Sequence, residues 1–291
     1  MKKKHKVLTR RDFLRGNVCA ALGVTVLGIS PAGAAAPSPS VVIVDRDEKV
    51  LNTDLVVDST ILRGMVNRTV IQLTGKGTAR EAWLSLVSPK DIIGLVTTSH
   101  ANPTHDELVD AVKASLVAAG IPEKNIRMAQ GSPEDAEACT ALISMPALKT
   151  HRLTGIGTVL KNYIMFSGRP SSYHAEDSAK LGEIWHLPNV KGKTKLILVD
   201  ALHPLCDKGP QSNPRYKWAY NGLIAGTDPI AVETVCLQVI LARRRELRGE
   251  PWPISPPPLC VEAADKIYGL GTSRPERIAI KTSGWKDGLL L

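Results

Sequence analysis

Ile92-Ile-Gly-Leu-Val-Thr97, Thr104-His-Asp-Glu107-Leu-Val-Asp-Ala-Val-Lys-Ala-Ser-Leu-Val-Ala-Ala-Gly120 and Asn125-Ile-Arg-Met-Ala129 together decide the fold class. The first is an apolar run of strand length. The second puts Leu108, Val109, Val112, Leu116 and Val117 at helical spacing behind a Thr104/Glu107 capping box, and Gly120 closes it. The third is a short strand. Strand, turn, amphipathic helix and strand in that order read as a βαβ unit, whose parallel strands need a helical crossover.

The same alternation continues in both directions. Upstream, Val41–Val44 is a β-branched strand. Asp58 or Ser59 opens a helix through Ile61, Leu62, Met65, Val66 and Ile71 that closes near Gly75 and Gly77, and a Thr78/Glu81 capping box opens another that ends near Val87. Downstream, Ser132-Pro133 starts a helix, and Ala141–Met145, Lys195–Val199 and Leu223–Ala225 read as strands. Asp228-Pro229 opens a long helix that ends at Arg243-Arg-Arg245 and Gly249. A proline-rich loop over 251–258, a short helix and a strand over Ile278–Lys281 complete the chain. No internal repeat is visible. The expectation is an α/β fold with a mostly parallel sheet flanked by helices, in a single domain over residues 37–291.

Charge is unevenly placed. The 291 residues carry a formal charge of +9, and residues 1–36 contribute seven Lys or Arg against Asp12 alone, so two thirds of the excess sits there. That segment runs from a basic stretch through an apolar run, Val18–Ile29, to the small residues Pro31-Ala-Gly-Ala-Ala-Ala36. This is the order of an export signal, and the run is shorter than the ~20 residues of a membrane-spanning helix. Thr9-Arg10-Arg11-Asp12-Phe13-Leu14-Arg15 resembles the twin-arginine signal for export of folded bacterial proteins. Residues 1–36 are therefore read as a twin-arginine signal peptide, with the twin-arginine translocation machinery as a partner, a periplasmic or otherwise exported destination and no stable membrane span.

Composition excludes other classes. With 43% hydrophobic and 22% charged residues the chain has material for a core, and 4% aromatic content is too little for a platform on which bases stack, so nucleic acid is not expected. Cys139, Cys206, Cys236 and Cys260, which follow the signal, show no CxxC or similar spacing, hence no local iron–sulfur motif, and disulfide partners among them cannot be deduced. The sequence also has no P-loop, GxGxxG, HExxH or GxSxG.

Chemistry concentrates after the strand that ends at Met145-Pro146. Lys149, His151 and Arg152 are expected in a loop, and Thr154-Gly-Ile-Gly157 in a helix start that leads to Lys161-Asn162, with Thr154 and Lys161 two helical turns apart. Loops beyond strand carboxyl ends, helix-start N–H groups and cations suit an anion. The alternative is a solvated basic loop with one capping threonine.

These residues also carry a family resemblance. Met145-Pro-Ala-Leu-Lys149-Thr-His151, Thr154-Gly155 and Leu160-Lys161-Asn162 are similar to the pattern of the domain of unknown function 362 family. Thr104-His105, Tyr173-His174, Leu198-Val-Asp200, Gly209-Pro210 and Ala225-Gly-Thr-Asp228-Pro-Ile-Ala-Val232 support it over roughly residues 90–240. The resemblance implies a bacterial or archaeal α/β domain of largely undefined activity. Many relatives are described as iron–sulfur proteins through an attached cysteine module that this chain lacks, so no cluster is carried over and the cofactor is unknown. The family's recurrent residues fall on Lys149, His151, Lys161, Asn162, His174 and Asp228.

Catalytic roles are expected of His151, Lys149 and Lys161: the histidine as acid/base or metal ligand, the lysines as holders of negative charge. Asn162, Thr154, His174 and Asp228 are read as ligand-binding, although Asp228 before Pro229 also has a complete explanation as a helix cap. Asp200, His203 and Cys206 form a secondary metal set. His100 and His105 straddle a Pro-containing turn, with His105 as the first helical residue. Whether the protein is an enzyme stays open. One reading is a periplasmic enzyme or redox accessory protein that binds a small anionic organic ligand or cofactor. Another is a non-catalytic metal or small-molecule binding protein, and a third is a partner-binding module.

Overall fold

The computed structural model of the chain describes residues 38–129, 131–174 and 178–291. The twin-arginine signal expected over 1–36 lies outside the described residues. The elements run β1 (Ser40–Arg46), α1 (Ser59–Thr74), α2 (Ala79–Leu86), β2 (Ile93–Thr97), α3 (Asp106–Ala119), β3 (Ile126–Met128), α4 (Pro133–Glu137), β4 (Ala141–Met145), β5 (Ala147–His151) and β6 (Gly155–Ile156). They continue with α5 (Leu181–Ile184), β7 (Thr194–Leu205), β8 (Gly222–Gly226), α6 (Pro229–Arg248), α7 (Leu259–Lys266) and β9 (Ile278–Gly284). No helix among the described residues is long and apolar enough to cross a membrane.

The nine strands form one mixed, mostly parallel sheet in the order β3-β2-β4-β7-β8-β1-β9, and β5 adds to β7 and carries β6 as a hairpin partner. The β2–α3–β3 crossover is parallel, Ile93 opposite Ile126, and the second neighbour β4 is parallel too, Ile93 opposite Ala141. β8 is antiparallel to both β7 and β1. Alternation along the strands feeds two cores. Leu95, Ile143, Met145, Leu196 and Leu198 pack under α1, α2 and α3. Val96, Leu142, Ile197 and Val199 pack on the opposite face with α5, α6 and α7. This is a single α/β domain with helices on both faces of the sheet.

Local sequence explains most helix ends. Asp58 accepts from Thr60 N and Ile61 N, and Gly75 closes α1 at φ 67. Thr78 and Glu81 form their capping box. Asp228 accepts from Ile230 N and Ala231 N before Pro229 at the first turn of α6. The box expected at Thr104 does not form. Thr104 Oγ1 accepts from Thr98 N at 3.0 Å and donates to Met145 O at 2.6 Å, so His105 becomes the N-cap, and its backbone N–H is taken by Asp200 from β7.

Pro146 sets the geometry of the site. It offers no N–H to the sheet, so the extended chain breaks there, yet its carbonyl accepts from Asp200 N at 2.8 Å and the chain resumes beside β7. β7 is consequently 12 residues long, pairing with β4 through Leu142–Ser144 and with β5 through Ala147 and Lys149. Lys149 and His151 are thus strand residues, where a loop was expected, and Thr154 lies in the β5–β6 hairpin turn instead of a helix start.

The segment after β7 packs directly on β5. A Cβ on Gly209 would lie 2.0 Å from the Thr150 carbonyl oxygen, where only main chain could give way. Gly209→Ala is therefore expected to destabilise the fold by about 1–3 kcal/mol in chemical denaturation, as overpacking against backbone does. An unchanged midpoint would show that this approach is not tight.

Candidate active site

A cleft of about 270 Å³ opens beyond the carboxyl end of β2, between the 98–102 loop, β5 and the 3-10 helix Leu160–Ser167. Lys149, His151, Lys161, Asn162 and His174 all line it, so five of the residues singled out from sequence converge.

Lys149 is 4% exposed, and its Nζ donates to three successive carbonyls, His100 at 3.3 Å, Ala101 at 2.6 Å and Asn102 at 3.1 Å. Ala101 and Asn102 are both left-handed, φ 52 and 69, a costly conformation for residues with a Cβ, and it turns their carbonyls onto the ammonium. Burial, and next Lys161, push the Lys149 ammonium down to about 7. The three carbonyls oppose that push, because only the charged form has three hydrogens to give. All of these hydrogens are committed within the protein, so Lys149 shapes the cleft and supplies fixed positive charge, and a bound ligand does not receive a hydrogen bond from it.

His151 is also buried. The Leu153 N–H donates to its Nδ1 at 3.2 Å, which places the ring proton on Nε2. Burial first, then Lys161, His174, Lys149 and Arg152, push its protonation down to about 3. A neutral ring whose Nδ1 already accepts a hydrogen bond offers an N–H at Nε2, so His151 is a donor to a ligand; the general-base and metal-ligand roles expected of it would both need the Nε2 lone pair. The His174 ring stacks on it, centroids 5.4 Å apart and 14° from parallel, and burial and Lys161 push His174 down as well. Gly157 permits the arrangement, since a Cβ there would come within 3.0 Å of His151 Cβ.

The 3-10 helix presents Lys161 and Asn162. Asn162 Nδ2 donates to Val96 O at 2.8 Å and to Ser144 Oγ at 3.0 Å, which ties the helix to β2 and β4. Its first turn is held from behind by Glu233, a fully buried residue of α6 whose Oε2 accepts from Leu160 N at 2.8 Å while Oε1 has no partner. Burial pushes this carboxyl up to about 8, so it carries a proton at neutral pH. Sequence reading missed Glu233. The available signal was an acid on the apolar stretch Ile230–Cys236 of an amphipathic helix. Lys161 itself has no hydrogen-bond or ion-pair partner among the described residues, and burial pushes its ammonium down to about 8.

Other expected site residues lie elsewhere. Thr154 is fully buried and donates to Ile156 O at 2.7 Å within its turn. Asp228 caps α6 and also accepts from Ser40 Oγ at 2.6 Å and Thr272 N at 3.1 Å, so its oxygens serve structure. Among the described residues no group of three or more His, Cys, Asp or Glu is placed to hold a metal ion, which corrects the Asp200, His203 and Cys206 set. Asp200 instead accepts from the backbone N–H and ring Nδ1 of His105, both at 2.7 Å. Burial lowers His105, but the hydrogen bond and charge of Asp200 outweigh it and the net shift is upward. Cys206 is a buried thiol that burial pushes up to about 11. It, Cys139, Cys236 and Cys260 are unpaired.

The two lysines should separate experimentally. Lys149→Met strands three carbonyls and is expected to cost about 3 kcal/mol in denaturant titration, whereas Lys161→Met removes an unpartnered charge and should stay within about 0.5 kcal/mol of the parent or stabilise it. Equal losses would contradict this division. Glu233 makes a pH prediction. Its folded value of about 8 lies above the ordinary 4.5, so the stability it contributes is complete below 4.5 and is lost as pH rises through 8. Glu233→Gln keeps an acceptor for Leu160 N and should exceed the parent in stability by more than about 1 kcal/mol at pH 9 relative to pH 5. Identical pH slopes would mean that Glu233 is ionised in the fold.

No curated protein and no solved structure matches the chain. A family model does match, over residues 97–238, a span that begins at the last residue of β2, contains every cleft residue and ends within α6; the matching family is the one described as domain of unknown function (DUF362).

Proposed function

We propose that this chain is an exported protein that binds a small organic anion in the cleft around Lys161. The observation that carries the reading is the Lys161 ammonium, which has no partner among the described residues in a cleft whose described lining contains no carboxylate. An unpaired, partly desolvated charge in a cleft is costly unless a ligand of opposite sign completes it. His151 adds a neutral N–H donor, and Lys149 adds fixed positive charge behind it. Ile164, Met165 and Pro210 give the cleft an apolar wall that suits a carbon skeleton. Its volume, about 270 Å³, lies at the lower edge of small-molecule sites. The twin-arginine-like segment supports export through that pathway after folding.

The test is calorimetric titration of the whole protein with oxalate and with inorganic phosphate. Binding that Lys161→Met abolishes and Lys161→Arg retains is expected. Affinity should fall as pH rises through about 8, where Lys161 loses its proton, approaching about tenfold per pH unit above that value. Heat that is independent of residue 161, or an affinity that climbs with pH, would refute the assignment.

A further inference from the structure

Only one of the two cleft lysines is chemically available. An amine nucleophile needs its lone pair free of protons and of competing hydrogen-bond acceptors. Lys149 fails this test because three carbonyls hold its hydrogens. Lys161 meets it: no acceptor among the described residues stabilises its ammonium. Among the described residues the titratable groups that line the cleft with it are His100, Lys149, His151 and His174, none of which can offer negative charge. A lysine that is partly desolvated beside another cationic group is the arrangement that activates an amine toward carbonyl compounds. Lys161 is also held in place, because Asn162 and Leu160 on either side of it are anchored to β2, β4 and Glu233.

We propose that Lys161 is a nucleophilic lysine that condenses with the carbonyl group of a small carboxylate, an aldehyde acid or 2-oxo acid, to form an imine. The proposal rests on the anion-binding reading of the same cleft, which brings the carboxylate to the site. In the condensation the neutral Nζ attacks the carbonyl carbon, and a C–N bond forms as the C=O becomes a hydroxyl. One amine hydrogen ends on that oxygen in the addition; the second joins it as the C–O bond breaks, so one water leaves and a C=N bond remains. No oxidant, reductant or second substrate is needed. The His151 Nε2–H is the donor available to polarise the carbonyl oxygen. At neutral pH a lysine at about 8 holds roughly 300-fold more free amine than an exposed one near 10.5.

The experiment incubates the whole protein at neutral pH with glyoxylate and cyanoborohydride, which reduces an imine to a stable secondary amine, and maps the adducts by peptide mass spectrometry. The expected result is a single adduct per chain on Lys161, formed at least about tenfold faster than on any exposed lysine and suppressed by oxalate, with Lys149 unmodified. Lys161→Arg, which keeps the charge, should bind oxalate and form no adduct. Labelling spread evenly over surface lysines, or unchanged labelling in Lys161→Arg, overturns the proposal. Oxalate binding without a Lys161 adduct would sink the imine alone, and absence of both would sink the anion site with it.

Discussion

The buried ammonium of Lys149, gripping the carbonyls of His100, Ala101 and Asn102, is the contact on which the cleft depends. Two consecutive residues with a Cβ would not keep left-handed backbone without such a partner, and a lysine would not stay 4% exposed without three acceptors. Each element explains the other. The loop satisfies the charge, and the charge holds the loop as one wall of the cleft. The same charge has a second effect at a distance. It lies close enough to His151 to help keep that imidazole neutral, and it forms with Lys161 a pair of like charges that no carboxylate of the described lining relieves.

The opposite wall is held by different chemistry toward the same end. A 3-10 helix has poorer hydrogen-bond geometry than an α-helix and seldom runs to eight residues unaided. Here Asn162 pins it to the carboxyl ends of β2 and β4, and the proton-bearing carboxyl of Glu233 takes the Leu160 N–H from below. Polar residues around the cleft therefore divide into those that hold and those that present. Lys149, Asn162 and Asp200 have partners that account for them, and Glu233 holds the Leu160 N–H through Oε2 while its buried Oε1 has no partner among the described residues. Lys161 and the Nε2–H of His151 have none among the described residues. Uncompensated polarity on the cleft wall, with no carboxylate in the described lining to relieve it, is the feature on which the anion-binding proposal rests.

Much of this architecture was legible in the chain. The β2–α3–β3 unit followed from apolar spacing alone, because a parallel strand pair requires a crossover helix and the residues that bury it recur at helical period. Helix ends were legible wherever the capping side chain is sequence-local, as at Asp58, Thr78 and Asp228. Thr104 defeated the same rule: its hydroxyl reaches Met145, 41 positions away, and the backbone N–H of His105, which caps the helix in its place, goes to Asp200, 95 positions beyond that histidine. Thr154 was misplaced for a related reason. A Thr/Gly run fits a helix start or a hairpin turn equally well, and the choice was made by β5 pairing with β7 beyond Pro146. Glu233 stayed hidden because an acid on a helix face reads as solvent-exposed until the neighbour that buries it is known.

By itself the sequence determined the α/β class, the order of the elements, the residues able to carry charge or protons, and the basic leader-like segment that accounts for most of the net charge. These are properties of residue type and spacing, which local sterics and hydrophobic period express without help from distant chain. The tertiary structure decided which of those residues are free. Lys149 and Lys161 look alike in sequence, yet one meets three carbonyls and the other meets none among the described residues. His151 is an acid, a base or a ligand until the Leu153 N–H occupies Nδ1. A side chain's chemistry is set by which donors, acceptors and charges surround it, and most of these are brought there by chain tens of residues away.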